Sequence, residues 1–475
     1  MRYYSTRGGA SVTGAQAVLS GIAPDGGLYL PETIPNLDWK TLVKSDTVQI
    51  AASILSAFLP ELPDMQRLVQ DAYQGKFETQ TLTPTVQVGN RYVLELFRGP
   101  TSAFKDVALC MLPRLMVAAR QVCGETEDVL ILTATSGDTG KAALEGFRDV
   151  PGIGICVFYP YGGVSQVQQR QMVSQEGSNV RVCAIRGNFD DAQTGVKNIF
   201  AANTGKNLSS ANSINIGRLL PQITYYFTAY RDLLAQGAIQ MGQEVNFSVP
   251  TGNFGDILAG FLAKQLGLPV GRLICASNAN NVLTDFMATG TYDRRRQLQK
   301  TTSPSMDILV SSNLERLLQL LSQDTTLVAE LMGQLQDQGY YTVPRDLLET
   351  IRSHFWAGCC DDAGAAKTIH SLWQDTGYLC DPHTATGWAV AEDYVNQTGD
   401  SRPMVVLSTA SAYKFPAAVL AAIGGDCSGD EFSQMERLSA ISGVAIPKNL
   451  ANLQQKPERH TDVIEKDEMM EYVLR

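Results

Sequence analysis

Short apolar runs alternate with amphipathic segments through the middle of the chain. DVLILTAT (128–135) ends at SGDTG and leads into the helix-like KAALEGF. GIGICVFYP (152–160) precedes VSQVQQRQMVSQ, and NVRVCAIRG (179–187) precedes DDAQTGVKNIFAA. A second series follows: EVNFSVP (244–250) passes through TGNFGD into DILAGFLAKQLG, RLICASN (272–278) precedes another helix, and PMVVLST (403–409) is a further apolar run. Short apolar strands separated by helices are the pattern of a parallel sheet covered on both faces. Residues 1–90 break the pattern with Gly/Pro turns (GIAPDGG, LPETIPN) and two weakly helical segments, and form an N-terminal module. The expected architecture is α/β. Residues 91–240 form a smaller sheet domain and 241–475 a larger one, completed by segments of the first half, with a cleft between them. The polar, turn-rich stretch 288–310 reads as an exposed loop, and the charged tail after about 445 as surface.

Length supports this division, since 475 residues exceed one typical domain. Hydrophobic residues make up 44%, enough for a large core. The net charge of −10 argues against a nucleic-acid or anionic-membrane binder. It leaves room for a small anionic substrate, because a few pocket cations outweigh distant charge screened over about 8–10 Å. Nine scattered cysteines, none in C-x-x-C, fit a reducing cytosol. Four histidines without H-E-x-x-H or a Cys/His cluster give no metal site. No run of 18 apolar residues and no signal-peptide core is present, so a cytoplasmic protein is expected.

Three segments carry chemistry. In RGPTSAFKD (98–106) the amine of Lys105 is flanked by Phe104, Val107 and Ala108. Apolar surroundings lower a lysine's pKa toward the neutral amine that forms a Schiff base. Thr101 or Ser102 is expected to cap the helix that begins there. TATSGDTGKAA (133–143) sets a glycine turn between strand and helix, where backbone N–H groups collect an anion. A nucleotide P-loop fails here, because Thr135 stands where its first glycine belongs and Ala142 replaces the Ser/Thr that would hold magnesium. The hydroxyls of Thr135, Ser136 and Thr139 suit a carboxylate. PTGNFGDILAG (250–260) repeats the strand–turn–helix arrangement, and Gly252 and Gly255 allow a backbone nest for a monoester phosphate. Each turn, read alone, serves equally as an ordinary connection.

Together with NSINIGR (212–218), YYSTRG (3–8), APDGGLYLPE (23–32), DPHTATG (381–387) and STASAYKFP (408–416), these segments resemble the threonine synthase family from residue 1 to about 420. The resemblance implies the fold-type II architecture of pyridoxal-phosphate enzymes, two parallel-sheet sandwich domains with an N-terminal module. It implies pyridoxal 5'-phosphate as cofactor and conversion of O-phospho-L-homoserine and water to L-threonine and phosphate by a monomer or homodimer. Carried over by motif, Lys105 is the Schiff-base lysine. Gly252, Asn253, Phe254, Gly255 and Asp256 hold the cofactor phosphate, Thr409 faces the pyridine nitrogen, and Asp138 lies near the cofactor hydroxyl. Thr135, Ser136 and Thr139 take the substrate carboxylate, and Asn212, Ser213 and Arg218 take its phosphate. On spacing alone Arg218 reads as a surface charge. Arg98, where the family often has His, is read as extra positive charge near the cleft. His383 is read as capping or packing at a helix start. A related phospho-lyase or serine/threonine dehydratase, and a catalytically silent protein keeping the fold, are the competing readings.

Overall fold

The structure, a computed structural model, describes residues 1–202 and 205–475. Two sheets organise it. The larger has six strands in the order Phe355–Cys359, Val270–Ser277, Val245–Pro250, Met404–Ser408, Arg91–Glu95 and Thr85–Val88. All neighbours are parallel except the last pair. The smaller sheet is wholly parallel, in the order Asp462–Glu465, Val180–Arg186, Ile153–Pro160, Val129–Ala134 and Asn207–Ser210. Strands 245–250 and 404–408 are buried at every position, and the polar Asn246 and Ser248 within the first are paired with Asp400 and the Gly387 carbonyl. The N-terminal module holds a three-stranded antiparallel sheet of Gly8–Thr13, Arg2–Ser5 and Tyr29–Pro31.

Two segments depart from the sequence reading. The stretch 288–310 is exposed near 295–300, but Thr291–Asp293 pairs with Tyr340–Thr342, and Ser303 and Met306 are buried. Its polar groups satisfy one another: the Asn278 amide donates to Asp307 at 2.8 Å and to Thr301 at 2.8 Å, and the Thr301 hydroxyl donates to Asp307 at 2.7 Å. A polar segment with every group paired can be buried at little cost, so hydropathy misjudges it. The charged tail is likewise more than surface. Asp462–Glu465 joins the edge of the small sheet, and helix Met469–Leu474 buries Met469 and Val473 against it.

Helix Lys105–Cys123 carries the candidate lysine in its first turn and ends at Gly124, whose φ of 70° closes it in the left-handed region. The expected cap is absent. Phe104 occupies the N-cap without a side-chain bond, and Ser102 adopts a φ of 59°. Instead the Asp106 carboxylate reaches back to the Thr101 N–H at 2.8 Å and to its hydroxyl. This helix packs so closely on helix Asp138–Phe147 that a β-carbon added at Gly146 would lie 1.9 Å from the Leu109 carbonyl oxygen. Gly146→Ala is therefore expected to lower stability by about 1–3 kcal/mol, because one backbone must move. The loss should appear as a reduced urea midpoint at unchanged m-value. An unaltered midpoint would show that the helices do not approach this closely.

Candidate active site

Lys105 is buried beneath both glycine turns. Its Nζ lies 3.9 Å from Asp138 Oδ2 in the SGDTG segment and donates to Ser305 Oγ at 3.3 Å. The carbonyl of that same Ser305 would stand 2.6 Å from a β-carbon at Gly252, so the loop at 305 bridges the lysine and the second turn. The surroundings are less apolar than the flanking sequence suggests. Val107 and Ala108 are buried and the Phe104 ring sits 5.2 Å from Nζ, but the amine itself meets polar partners. Burial pushes the Lys105 pKa down to about 8; Asp138 works against that shift, while Lys414 and Arg218 add to it and Asp106 opposes it.

Strand Val129–Ala134 delivers the first turn, and Gly137, with φ 134°, gives the backbone an angle that a side chain would resist. The Thr135 hydroxyl accepts from the Gly137 N–H at 3.0 Å and the Gly140 N–H at 2.9 Å, so it shapes the turn from within. Ser136 and Thr139 are partly exposed beside it. Asp138 is fully enclosed: Lys414 Nζ lies 2.6 Å from Oδ1, and the Gln168 amide donates to Oδ1 at 2.9 Å. Gln168 is held by a capping box, Ser165 with Gln168, at the start of helix Gln166–Val173. Burial acts to raise the Asp138 pKa, but the two lysines and the Gln168 bond outweigh it and keep the carboxyl well below its usual range.

In the second turn Phe254 takes a left-handed φ of 62° and helix Gly255–Gln265 begins. No side chain among the described residues caps this helix, so its first N–H groups are not consumed by a cap. Asn253 is exposed, and a β-carbon at Gly255 would come within 3.9 Å of the Ser213 Cβ and 3.4 Å of the Asn313 amide. Asn313 stitches these segments, donating from Nδ2 to the carbonyls of Ser213 at 3.1 Å and Asn253 at 3.0 Å. The Asp256 carboxylate accepts from the hydroxyls of Tyr225 at 2.5 Å and Tyr226 at 3.1 Å, and burial lifts its pKa to about 7. Thr409 is brought to the lysine by its carbonyl, which accepts from the Phe104 N–H at 2.8 Å.

The NSINIGR turn is fixed by Asn215, which caps helix Ile216–Leu219 and donates to the Val18 carbonyl at 2.9 Å. Arg218 is buried. It donates to the Ala211 carbonyl at 2.6 Å, its Nε has no partner among the described residues, and burial pulls its pKa down to about 10. Asn212 and Ser213 are partly exposed at the same turn. Arg98 gives the cleft no spare charge, because Glu95 at 2.7 Å and Glu78 at 3.1 Å neutralise it. His383 sits in the first turn of helix Pro382–Thr398, its Nδ1 2.6 Å from the capping Asp381, and its Nε2 accepts from the Ser305 N–H at 3.2 Å. The histidine thus pins the loop that touches Lys105.

Sequence reasoning missed Ser305, Asn313, Gln168 and Lys414. Lys414 lay within STASAYKFP, and that position was the available signal. The residues present fit pyridoxal phosphate: a buried amine of lowered pKa, an uncapped helix start behind Gly252–Gly255, and an unsatisfied guanidinium nitrogen nearby.

Residues 80–410 match the family model described as pyridoxal-phosphate dependent enzyme, so fold and site define a fold-type II enzyme of that class. Residues 2–73 match the threonine synthase N terminus and 384–473 the threonine synthase C-terminal model. The chain is 40% identical over 476 residues to threonine synthase of Pseudomonas aeruginosa, covering 97% of this chain and 95% of that one. A solved structure of pyridoxal-phosphate-bound threonine synthase from Brucella melitensis superposes with TM-score 0.89 at 41% identity, covering 100% and 99% of the two chains. Threonine synthase-like 1 of Macaca fascicularis is 39% identical over 86% of this chain, and the chain spans 58% of that longer protein. The chain belongs to the threonine synthase family.

Proposed function

We propose that this chain converts O-phospho-L-homoserine and water to L-threonine and phosphate. The observation that carries the reading is the buried Lys105 amine set between the SGDTG turn, at 3.9 Å through Asp138, and the GNFGD turn, through Ser305. Bound pyridoxal phosphate supplies an electron sink for charge that develops on substrate carbon. The remaining tasks fall to this chain. The first-turn N–H groups after Phe254 hold the cofactor phosphate, and Thr409 faces the ring nitrogen. Thr135, Ser136 and Thr139 orient the substrate carboxylate, while Asn212, Ser213 and Arg218 hold the substrate phosphate, for which the guanidinium fork is suited. The Lys105 amine takes and returns protons on substrate carbon, a role its lowered pKa serves near neutral pH. The two lobes, one built on each parallel sheet, close to shield the site until water adds. The same reading places the protein in the cytoplasm, as a monomer or homodimer without a nucleic-acid or membrane partner; among the described residues no helix is long and apolar enough to cross a membrane.

The test is incubation of the purified chain, loaded with pyridoxal phosphate, with O-phospho-L-homoserine, scoring both products. Threonine and phosphate should appear in equal amounts. Phosphate without threonine would assign a lyase of another outcome, and neither product would sink the proposal.

A further inference from the structure

Two lysines face one buried carboxylate. Lys414, on the turn 412–414, is fully buried, lies 2.6 Å from Asp138 Oδ1, and donates to the Thr101 carbonyl at 3.1 Å. Lys105 lies 3.9 Å from the other oxygen of Asp138. A single carboxylate compensates one ammonium in a buried site, and the nearer, doubly bonded ammonium has the stronger claim. Thr101 fixes the arrangement, because its N–H and hydroxyl are bound by Asp106 on the lysine's own helix while its carbonyl holds Lys414.

We propose that Lys414 is a positioning residue for Lys105: by holding the charge of Asp138 from its inner side, it leaves Lys105 as the lysine that sheds its proton and forms the imine. The proposal rests on the assignment of Lys105 given above. The groups facing Lys105 are Asp106 on its own helix, Asp138, Lys414, Arg218, and Ser305 with His383 behind it. Burial lowers the Lys105 pKa most, and Lys414 pushes in the same direction while Asp138 resists. Removing Lys414 therefore leaves Asp138 to Lys105 and makes its proton harder to lose; removing Asp138 does the opposite.

The full chain, freed of cofactor, would be mixed with pyridoxal phosphate across a pH series and reduced with borohydride, and the label on the Lys105 peptide quantified by mass spectrometry. The wild-type labelling midpoint is expected near pH 8. Lys414→Met should raise it by about one pH unit, as expected for a lost neighbouring charge. Asp138→Asn should lower it, Lys414→Arg should keep it, and the double variant should lie above Asp138→Asn alone. Should Lys414→Met fail to fold because it strands a buried acid, the comparison of Asp138→Asn with the double variant isolates the same charge. Equal midpoints in that comparison, or a Lys414→Met chain that labels less at an unmoved midpoint, overturn the proposal and leave Lys414 a packing group. Absence of label at Lys105 in the wild-type chain at every pH would instead refute the lysine's own assignment.

Discussion

Replacing Lys105 with alanine is expected to reduce threonine formation from O-phospho-L-homoserine at least about a thousandfold, since proton transfer by a placed group alone contributes roughly a hundred- to ten-thousandfold. The variant also loses the amine that anchors the cofactor. The side chain is buried and touches Asp138 and Ser305, so its removal empties the centre of the site while leaving the fold's layers in place. Lys105→Arg should fail as well, because a guanidinium stays protonated at any working pH and cannot form the imine. Stopped-time assays of threonine and phosphate, run beside thermal melts, check both variants. Turnover within a factor of ten of wild type in a folded Lys105→Ala chain would remove the basis for the function proposed here.

Arg218→Ala is expected to act on capture of the substrate. Its guanidinium is desolvated, is anchored at one nitrogen to the Ala211 carbonyl, and has an Nε with no partner among the described residues. A charge-assisted bond to a phosphate oxygen contributes about 1.5–3 kcal/mol, so kcat/KM should fall roughly ten- to a hundredfold, with most of the change in KM. Inhibition by inorganic phosphate should weaken in parallel, which a structural defect would not produce. Arg218→Lys should recover part of the loss, keeping charge without the fork. A fall confined to kcat, with phosphate inhibition intact, would place Arg218 elsewhere than on the substrate's phosphate.

What the sequence discloses here follows the range of the interactions. Lys105, the SGDTG turn and the GNFGD turn are legible because each is a contiguous strand–turn–helix unit whose chemistry is local. The apolar runs at 129–134, 153–160, 180–186, 245–250 and 270–277 are legible for the same reason. Ser305 is not, because its meaning comes from a lysine 200 positions earlier and from His383 beneath it. The loop that carries it looks exposed by composition, yet Ser303 and Met306 are buried because the polar groups around them bind one another. Arg98 misleads in the opposite sense: an isolated cation in the sequence is, in the fold, matched by Glu95 and Glu78. The edge strand 462–465 holds only Val463 and Ile464 between two acids, too short an apolar run to mark a strand in a charged tail.

The first residues of the chain are tied to the candidate site by Arg316. Fully buried, it donates to the Tyr29 carbonyl at 3.0 Å, to the Ile214 carbonyl at 2.6 Å and to Asn313, while its neighbour Glu315 grips Arg7 at 2.8 Å. Asn313 in turn spans Asn253 and Ser213, so one cation joins the opening module to both segments assigned to phosphate. The antiparallel sheet at the start of the chain therefore serves as a keystone. It supplies one of the three acceptors that hold this buried guanidinium, and a protein lacking it would leave the Nε without that partner where the two turns assigned to phosphate now meet.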